Sequence, residues 1–277
     1  MTESAIAGSE NSGRTWAMSS SKVQYSKSEL LAVTTSRLLE DKKTVFVGIG
    51  LPMAAALLAK LTHSPSLSII FEGGIIAPEL KRGKMPLSTN EARAGRKAMA
   101  FCSITDMFLY QQRGFLDYGL LGAAQIDRYG NINTSLIGDI EKPKVRLPGT
   151  GGANDIASSA SRVIVTLIHE KRRFVDKVDF ITSPGFLQGG KSRNDAGLIF
   201  GGPYKVVTDL GIMGFDPTTK MLRLEAVHEG VVPQDVLDNT GFDLPVTPSL
   251  GKVIPPSRSE LRILRAIDPE KVMLRGG

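Results

Sequence analysis

The chain has 277 residues, of which 42% are hydrophobic and 22% charged; that balance suits a globular protein with a sizeable core, and no apolar run approaches the roughly 20 residues that span a bilayer. The formal charge of +6 points to an anionic partner, but the basic residues fall in three separate groups around residues 81–84, 93–97 and 171–173. Without aromatic interleaving, finger spacing or a long basic run, they argue against nucleic acid and favour a phosphorylated small molecule or an acidic protein surface.

A single cysteine, Cys102, excludes a disulfide framework and a thiolate-rich zinc site, and fits a reducing cytoplasm. Residues 1–25 are rich in Ser, Gly and Thr and lack an apolar core segment. They read as a disordered extension rather than a signal peptide, with Met18 a candidate start. Residues 26–277 read as one domain.

Residues 26–40 predict a helix, capped by Ser26 or Ser28, with Leu30, Leu31, Val33, Leu38 and Leu39 on its apolar side. A buried strand follows over 42–50, then a helix over 52–61 with Pro52 in its first turn, where the missing N–H costs nothing. The next strand, rich in Ile and Phe, ends in one carboxylate, Glu72, trailed by Gly73 and Gly74. This order, with near-continuous apolar strands, predicts a parallel sheet covered on both faces. Further strands are expected over 115–127, within 159–169, and over 178–185. Between the first two lies a turn over 128–135, in which Gly130 and Asn131 supply positive φ. Residues 204–216 and 220–228 read as the two arms of a hairpin. A short helix over 233–241 is expected to close on Gly241, and a last helix over 257–268 to start from Ser257 or Ser259. The fold class is α/β, a mostly parallel sheet with a small antiparallel appendage.

Ligands of open α/β sheets bind beyond the carboxyl ends of the strands, so those ends hold the candidates. Gly48-Ile49-Gly50 resembles the start of a dinucleotide fingerprint, but Met53 stands where the third glycine belongs, and a plain tight turn explains it equally well. Glu72 reads either as a structural acid, paired with an arginine or capping backbone, or as a functional one. Gly73 and Gly74 favour the second, because they clear side chains from a substrate's path. In the stretch 148–157, small residues surround Asn154 before a helix start; it reads as an anion nest for a phosphate or an oxyanion, or as a plain loop. His63, His169 and His228 lack metal-ligand spacing, so no metal site is expected, and His169 reads as a solvated or interface edge. Neither a G-x-S-x-G elbow nor a P-loop is present. Cys102, among apolar neighbours, reads as a small hydrophobe.

The stretches VGIGLP (47–52), IIFEGG (69–74), GAAQIDRYGNINTSLIGD (122–139), GTGGANDIA (149–157), HEKRRFVDKVDFITSPG (169–185), VVTDLGIMGFD (206–216) and PQDVLDNTGFDL (233–244) occur in one order. Together they resemble the β subunits of the class I CoA-transferases, in the glutaconate CoA-transferase branch, from about residue 27 to about residue 270. The resemblance implies a three-layer αβα sandwich of the NagB/RpiA/CoA-transferase type. It implies Glu72 as the nucleophile that forms a glutamyl-CoA thioester in a ping-pong reaction. Gly151, Gly152 and Ala153 would be the oxyanion donors, Asn154 an orienting group, and Gly48 and Gly50 part of the CoA site. A carboxylate at a dry strand end loses the hydration that blunts it in water, and Ile75, Ile76 and Ala77 are expected to form the drying wall. No cofactor is implied, since the coenzyme A thioester is a substrate. The implied partners are an acyl-CoA, a carboxylic acid, expected to be dicarboxylic, and an α subunit in an α2β2 or larger assembly. A ring-opening or thioester hydrolase and a silent scaffold subunit are the alternatives. The basic stretch 79–98 reads as an exposed loop, or as a source of Arg93 or Arg96 for a distal substrate carboxylate.

Overall fold

In the computed structural model, which describes residues 23–274, successive side chains of the central strands enter two different cores. In β1 (Thr44–Val47), Val45 and Val47 face one core and Phe46 the other. In β2 (Ser68–Phe71), Ile69 and Phe71 face the first and Ile70 the second. Both faces are covered, which is why these strands show no polar alternation. Beyond β2, the two-residue strands β3 (Ile75–Ile76) and β4 (Ala100–Phe101) fold back antiparallel. On the other side of β1 lies β5 (Tyr118–Gly122). Two small antiparallel pairs stand apart: β6 (Gln125–Ile126) with β7 (Ile132–Asn133), and β8 (Leu136–Gly138) with β9 (Pro143–Arg146). The strands β10 (Arg162–Thr166), β11 (Pro203–Val207), β12 (Gly211–Phe215), β13 (Leu222–Val227) and β14 (Val246–Lys252) complete a ten-stranded sheet. Its order is β14-β13-β12-β11-β10-β5-β1-β2-β3-β4, and the run from β11 to β2 is parallel.

On one face pack α1 (Lys27–Ser36), α2 (Leu51–Leu61) and α7 (Arg258–Ile267). On the other lie α3 (Ile104–Gln112) and α4 (Ala153–Ser159), while α5 (Ser192–Asp195) and α6 (Pro233–Asp238) sit in the connections. The three-layer sandwich is thus the architecture found. Ser26 caps α1 and Ser257 caps α7, each in a capping box with Glu29 or Glu260. The two boxes are cross-linked: Arg265 of α7 donates to Glu29 at 2.6 Å, and Arg37 at the end of α1 donates to Glu260 at 2.7 Å. Among the described residues no helix is long and apolar enough to cross a membrane. Of the expected extension, residues 1–22, Met18 included, lie outside the described residues.

Several expectations fail, each for a physical reason. Residues 178–185 form no strand: only Ser183 bridges to Ile132, and a Cβ on Gly185 would lie 2.3 Å from the Gly130 backbone, so this segment packs on the 128–135 turn instead. Gly130 does take positive φ (74°), but Asn131 does not; its buried side chain donates to Asp127 at 2.8 Å. Residues 204–216 are two strands, because Thr208 Oγ1 accepts from the N–H groups of Leu210 and Gly211 and turns the chain between β11 and β12. Gly241 does not close α6, which ends at Asp238; it lets the backbone approach Phe174 O, 2.4 Å from where its Cβ would be. His169 is buried rather than solvated, stacked on Phe174 with 4.0 Å between ring centroids and hydrogen-bonded to Thr208 and Thr240.

Burial holds the His169 pKa down at about 4 against the usual 6.5, with the Asp209 carboxylate opposing. Between those values the unfolded chain takes up a proton that the folded chain refuses. Stability is therefore fully present above pH 6.5 and falls as the pH drops toward 4, by up to about 3 kcal/mol from this residue. Urea unfolding across that range should show the decline, and His169→Gln should make it shallower, His228 retaining its own smaller share because burial lowers it too.

Candidate active site

Glu72 is the first residue past the carboxyl end of β2. Phe46 is in register with Ile70, so Gly48 and Glu72, each two residues on, reach the same edge of the sheet. The turn after Glu72 closes with Gly74 N–H donating to Phe71 O at 3.0 Å and φ of 84° at Gly74. Its glycines are filled in, not cleared. A Cβ on Gly73 would lie 2.4 Å from Asn90 Oδ1, and one on Gly74 only 1.9 Å from Cys102 O. The molecule's own segments at 89–90 and 102–103 occupy the room expected for substrate, and the glycines are there because backbone approaches backbone.

The Glu72 side chain itself is half-buried and has no hydrogen bond or ion pair among the described residues. Among the described residues no arginine and no backbone N–H satisfies it, as the structural alternative would require. Half-buried Asp117, by contrast, is partnered: it accepts from Thr44 N–H at 2.9 Å and pairs with Lys43.

The glycine loop comes to this carboxylate. A Cβ on Gly152 would stand 3.2 Å from Glu72 Oε1 and 3.2 Å from Phe108 Cζ. Gly149 and Gly151 take φ of 93° and 49°, and a Cβ on either would meet nothing within 4 Å. Thr134 anchors the loop, its main-chain O accepting from Gly149 N–H and its hydroxyl donating to Gly149 O, both at 2.8 Å. The donors divide in a way sequence could not disclose. Ala153 N–H is spent on Thr150 O at 2.9 Å and Asn154 N–H on Thr150 Oγ1 at 2.9 Å, whereas the N–H groups of Gly151 and Gly152 have no acceptor among the described residues. Asn154 Nδ2 donates to Thr182 O at 3.0 Å, tying α4 to the neighbouring segment.

Gly50 lies elsewhere. It lines a cavity of about 420 Å³ at the carboxyl ends of β1, β5 and β10, with Gly122, Thr166 and Arg173. Glu72 is not among its lining residues, and Gly48 faces open space. The expected apolar wall is also misplaced: Ile75 turns into the first core, Ile76 into a cavity under α3, and Ala77 N–H bonds back to Ile69 O. Phe108 of α3 supplies the apolar neighbour instead, a residue no sequence pattern marked. Arg93 pairs with Glu91 at 2.5 Å and Arg96 with Glu79 at 2.7 Å, so both are engaged within the 79–98 segment. Cys102 donates to Gly74 O at 3.6 Å, and burial, helped by the Asp106 carboxylate, pushes its thiol up, away from thiolate chemistry.

A carboxylate without a partner among the described residues, beside a glycine loop with two uncommitted N–H groups on a three-layer sandwich, narrows the choice of relatives, and the known proteins that this chain matches agree with it. The coenzyme A transferase family model matches residues 28–239. This chain belongs to the coenzyme A transferase family. It is 41% identical over 253 residues to the B subunit of the 3-oxoadipate CoA-transferase of Pseudomonas knackmussii, covering 91% of this chain and 96% of that one. To the B subunit of the glutaconate CoA-transferase of Acidaminococcus fermentans it is 36% identical, with the same coverages. The crystal structure of that glutaconate CoA-transferase superposes with a TM-score of 0.82 at 35% identity, over 92% of this chain and 99% of the other. Against the human mitochondrial succinyl-CoA:3-ketoacid coenzyme A transferase 2, 28% identical, the match spans 76% of this chain but 38% of that longer one. The chain is accordingly a B-type chain of a transferase.

Gly152→Ala tests the site's geometry. Its methyl group would press on Glu72 Oε1 and Phe108 from 3.2 Å, so the neighbours must yield by a few tenths of an ångström. Transfer activity should fall by roughly 10²-fold, the scale of a small misplacement at a reacting centre, with the midpoint of thermal unfolding close to wild type.

Proposed function

We propose that this chain is the catalytic B-type subunit of an enzyme that moves coenzyme A from an acyl-CoA to a carboxylic acid, with Glu72 as covalent nucleophile. The observation that carries the reading is the unpaired Glu72 carboxylate beside Gly152, with the N–H groups of Gly151 and Gly152 unspent. A Glu72 oxygen attacks the thioester carbonyl; the C–S bond breaks and coenzyme A leaves as thiolate, giving a mixed anhydride. The thiolate then attacks the Glu72 carbonyl and releases the donor's carboxylate, leaving a glutamyl-CoA thioester. The acceptor carboxylate repeats both steps in reverse and restores Glu72. No proton or electron is gained or lost overall, so the chemistry calls for no resident cofactor or metal.

Each attack places negative charge on a carbonyl oxygen, and the free N–H groups of Gly151 and Gly152 are the donors that meet it. Phe108 excludes water from one side of the anhydride. The cavity lined by Gly50 offers room for the coenzyme's phosphate-bearing end, with Arg173, whose Nε pairs with Glu170 at 2.9 Å, among its lining residues. A dicarboxylic acceptor is supported by the two relatives above, whose names specify 3-oxoadipate and glutaconate, both dicarboxylates. Their designation as B subunits supports an A-type partner in an α2β2 or larger assembly, and acyl-CoA chemistry suits the cytoplasm.

The test is a trapping experiment on the complex with its A-type subunit. Incubation with acyl-CoA, with no acceptor acid, should leave a coenzyme A adduct on the peptide that holds Glu72. Glu72→Ala should abolish the adduct and lower transfer by roughly 10⁴-fold or more, the scale of losing a nucleophile. Steady release of free coenzyme A without an adduct would make the enzyme a thioester hydrolase. The absence of both an adduct and release would overturn the reading.

A further inference from the structure

The N–H groups of Gly151 and Gly152 lie in a loop whose glycines give it wide backbone freedom, so donors there stay aimed only if the loop is held at both ends. Its entry is held by Thr134: Gly149 N–H donates to Thr134 O and Thr134 Oγ1 donates to Gly149 O, both at 2.8 Å. Its exit is held by Asn154, in the first turn of α4, whose Nδ2 donates to Thr182 O at 3.0 Å. Thr134 in turn donates its own N–H to Thr182 Oγ1 at 2.9 Å. Entry and exit therefore end on one residue. Thr182 stands 48 positions from Thr134 and 28 from Asn154, so no local pattern in the sequence marks it.

Thr182 is buried, and each of its polar atoms is spent. Its N–H donates to Ile132 O at 2.8 Å, and its hydroxyl shares a hydrogen with Ser135 Oγ at 2.7 Å and donates to Asn133 Oδ1 at 3.4 Å. A threonine hydroxyl has one hydrogen and two lone pairs; with Ser135 donating, the bonds to Thr134, Ser135 and Asn133 use all three. The network continues inward. Buried Asn133 donates to Gln125 Oε1 at 2.7 Å, and Gln125 Nε2 donates to Asp179 Oδ2 at 3.1 Å. Residues 178–185 lie against the 125–136 segment rather than in the sheet because their hydrogen bonds go there, and through Thr134 and Asn154 to the glycine loop. A buried polar network with its members satisfied rigidifies what it holds.

We propose that Thr182 is a positioning residue for the Gly151 and Gly152 donors: its hydroxyl sets the entry of the loop through Thr134, and its carbonyl sets the exit through Asn154. The catalytic consequence rests on the function proposed above, whereas the anchoring rests on the hydrogen bonds alone. Donors stabilise an oxyanion only while they point to where its charge develops, and a displacement of about 1 Å at a reacting centre costs on the order of 10²-fold. Valine has the shape of threonine but neither donates nor accepts through its side chain. Thr182→Val therefore leaves the Thr134 N–H without its acceptor and loosens the entry of the loop while the exit bond, to a main-chain oxygen, remains.

The experiment is made on the complex with the A-type subunit, with acetyl-CoA, succinyl-CoA and glutaryl-CoA as donors and no acceptor acid. In Thr182→Val the glutamyl-CoA adduct should form roughly 10²-fold more slowly at saturating donor, while the half-saturating donor concentration stays within about threefold of wild type. Thr182→Ser, which keeps the hydroxyl, should restore the rate to within about threefold. By hydrogen exchange, the amides of residues 147–153 should exchange roughly tenfold faster in Thr182→Val, and those of β10 at the wild-type rate. Thr134→Val removes the bond to Gly149 O at a half-buried position one step nearer the loop; it should reproduce both effects and carries the test if Thr182→Val does not fold. Where wild type forms the adduct, an unchanged rate in Thr182→Val would overturn the proposal. Exchange that rises equally in β10, or a serine variant as slow as the valine one, would overturn it too, since either reduces Thr182 to a packing residue. A wild-type complex that forms no adduct, with the loop still loosened in Thr182→Val, would refute the proposed function and leave the anchoring intact.

Discussion

The backbone at Gly152 comes so close to the Glu72 carboxylate that a Cβ there would stand 3.2 Å from Oε1. That constraint, at Gly152 and Glu72, is what the surrounding structure serves. The two residues are 80 positions apart in the chain and belong to different elements, so their approach depends on how α4 is seated over the sheet. A glycine allows that seating: a Cβ on Gly119 of β5 would lie 2.2 Å from Ile156 Cγ2, so the helix presses directly on the strand. The far end of α4 is held by Arg193. Its guanidinium, 2% exposed, donates to the carbonyls of Ala157 (2.8 Å), Gly185 (2.9 Å) and Phe200 (3.1 Å), with further bonds to Pro184 and Ser158. Burial lowers its pKa to about 10, which still leaves it charged at neutral pH, where a cation suits a helix C-terminus. Asn154 fixes the first turn of the same helix. The loop at its N-terminus is thereby delivered to one place.

The treatment of acids elsewhere gives Glu72 its meaning. Glu29 and Glu260 are each satisfied twice, by a capping box and by an arginine of the other helix. Asp127 has no cation, yet accepts from the N–H groups of Tyr129 and Asn131 at 2.9 and 3.0 Å. Glu72, at a strand end, has no such partner among the described residues, which is what makes it the candidate for reaction. Unpaired groups at a site cost stability, and the cross-linked helix caps and the doubly covered sheet are where this chain recovers it.

Legibility in the sequence followed the range of the interaction. Apolar strands such as Val45 to Val47 announced burial on both faces because their composition needs no knowledge of neighbours. Ser26 and Ser257 announced helix starts because their partners, Glu29 and Glu260, lie three residues away. Misreadings arose where a residue answers to something distant. Gly241 looked like a helix end but makes room for Phe174, and Gly73 and Gly74 looked like clearance but make room for residues 89–90 and 102–103. Glycine records that space is needed and does not record who fills it.

Strand chemistry, helix caps, the α/β layering and the candidacy of Glu72 and the 148–157 loop were therefore determined by the sequence itself, since each is written in local pattern and residue type. The tertiary structure alone decided that Glu72 goes unpaired, that Gly152 rather than Ala153 meets it, and that Gly50 belongs to a different cavity. It also decided that Phe108, hidden in an ordinary amphipathic stretch, stands at the site. Those outcomes turn on distances of roughly 3 to 4 Å between residues far apart in the chain, and only packing, which sums many such contacts at once, selects among them.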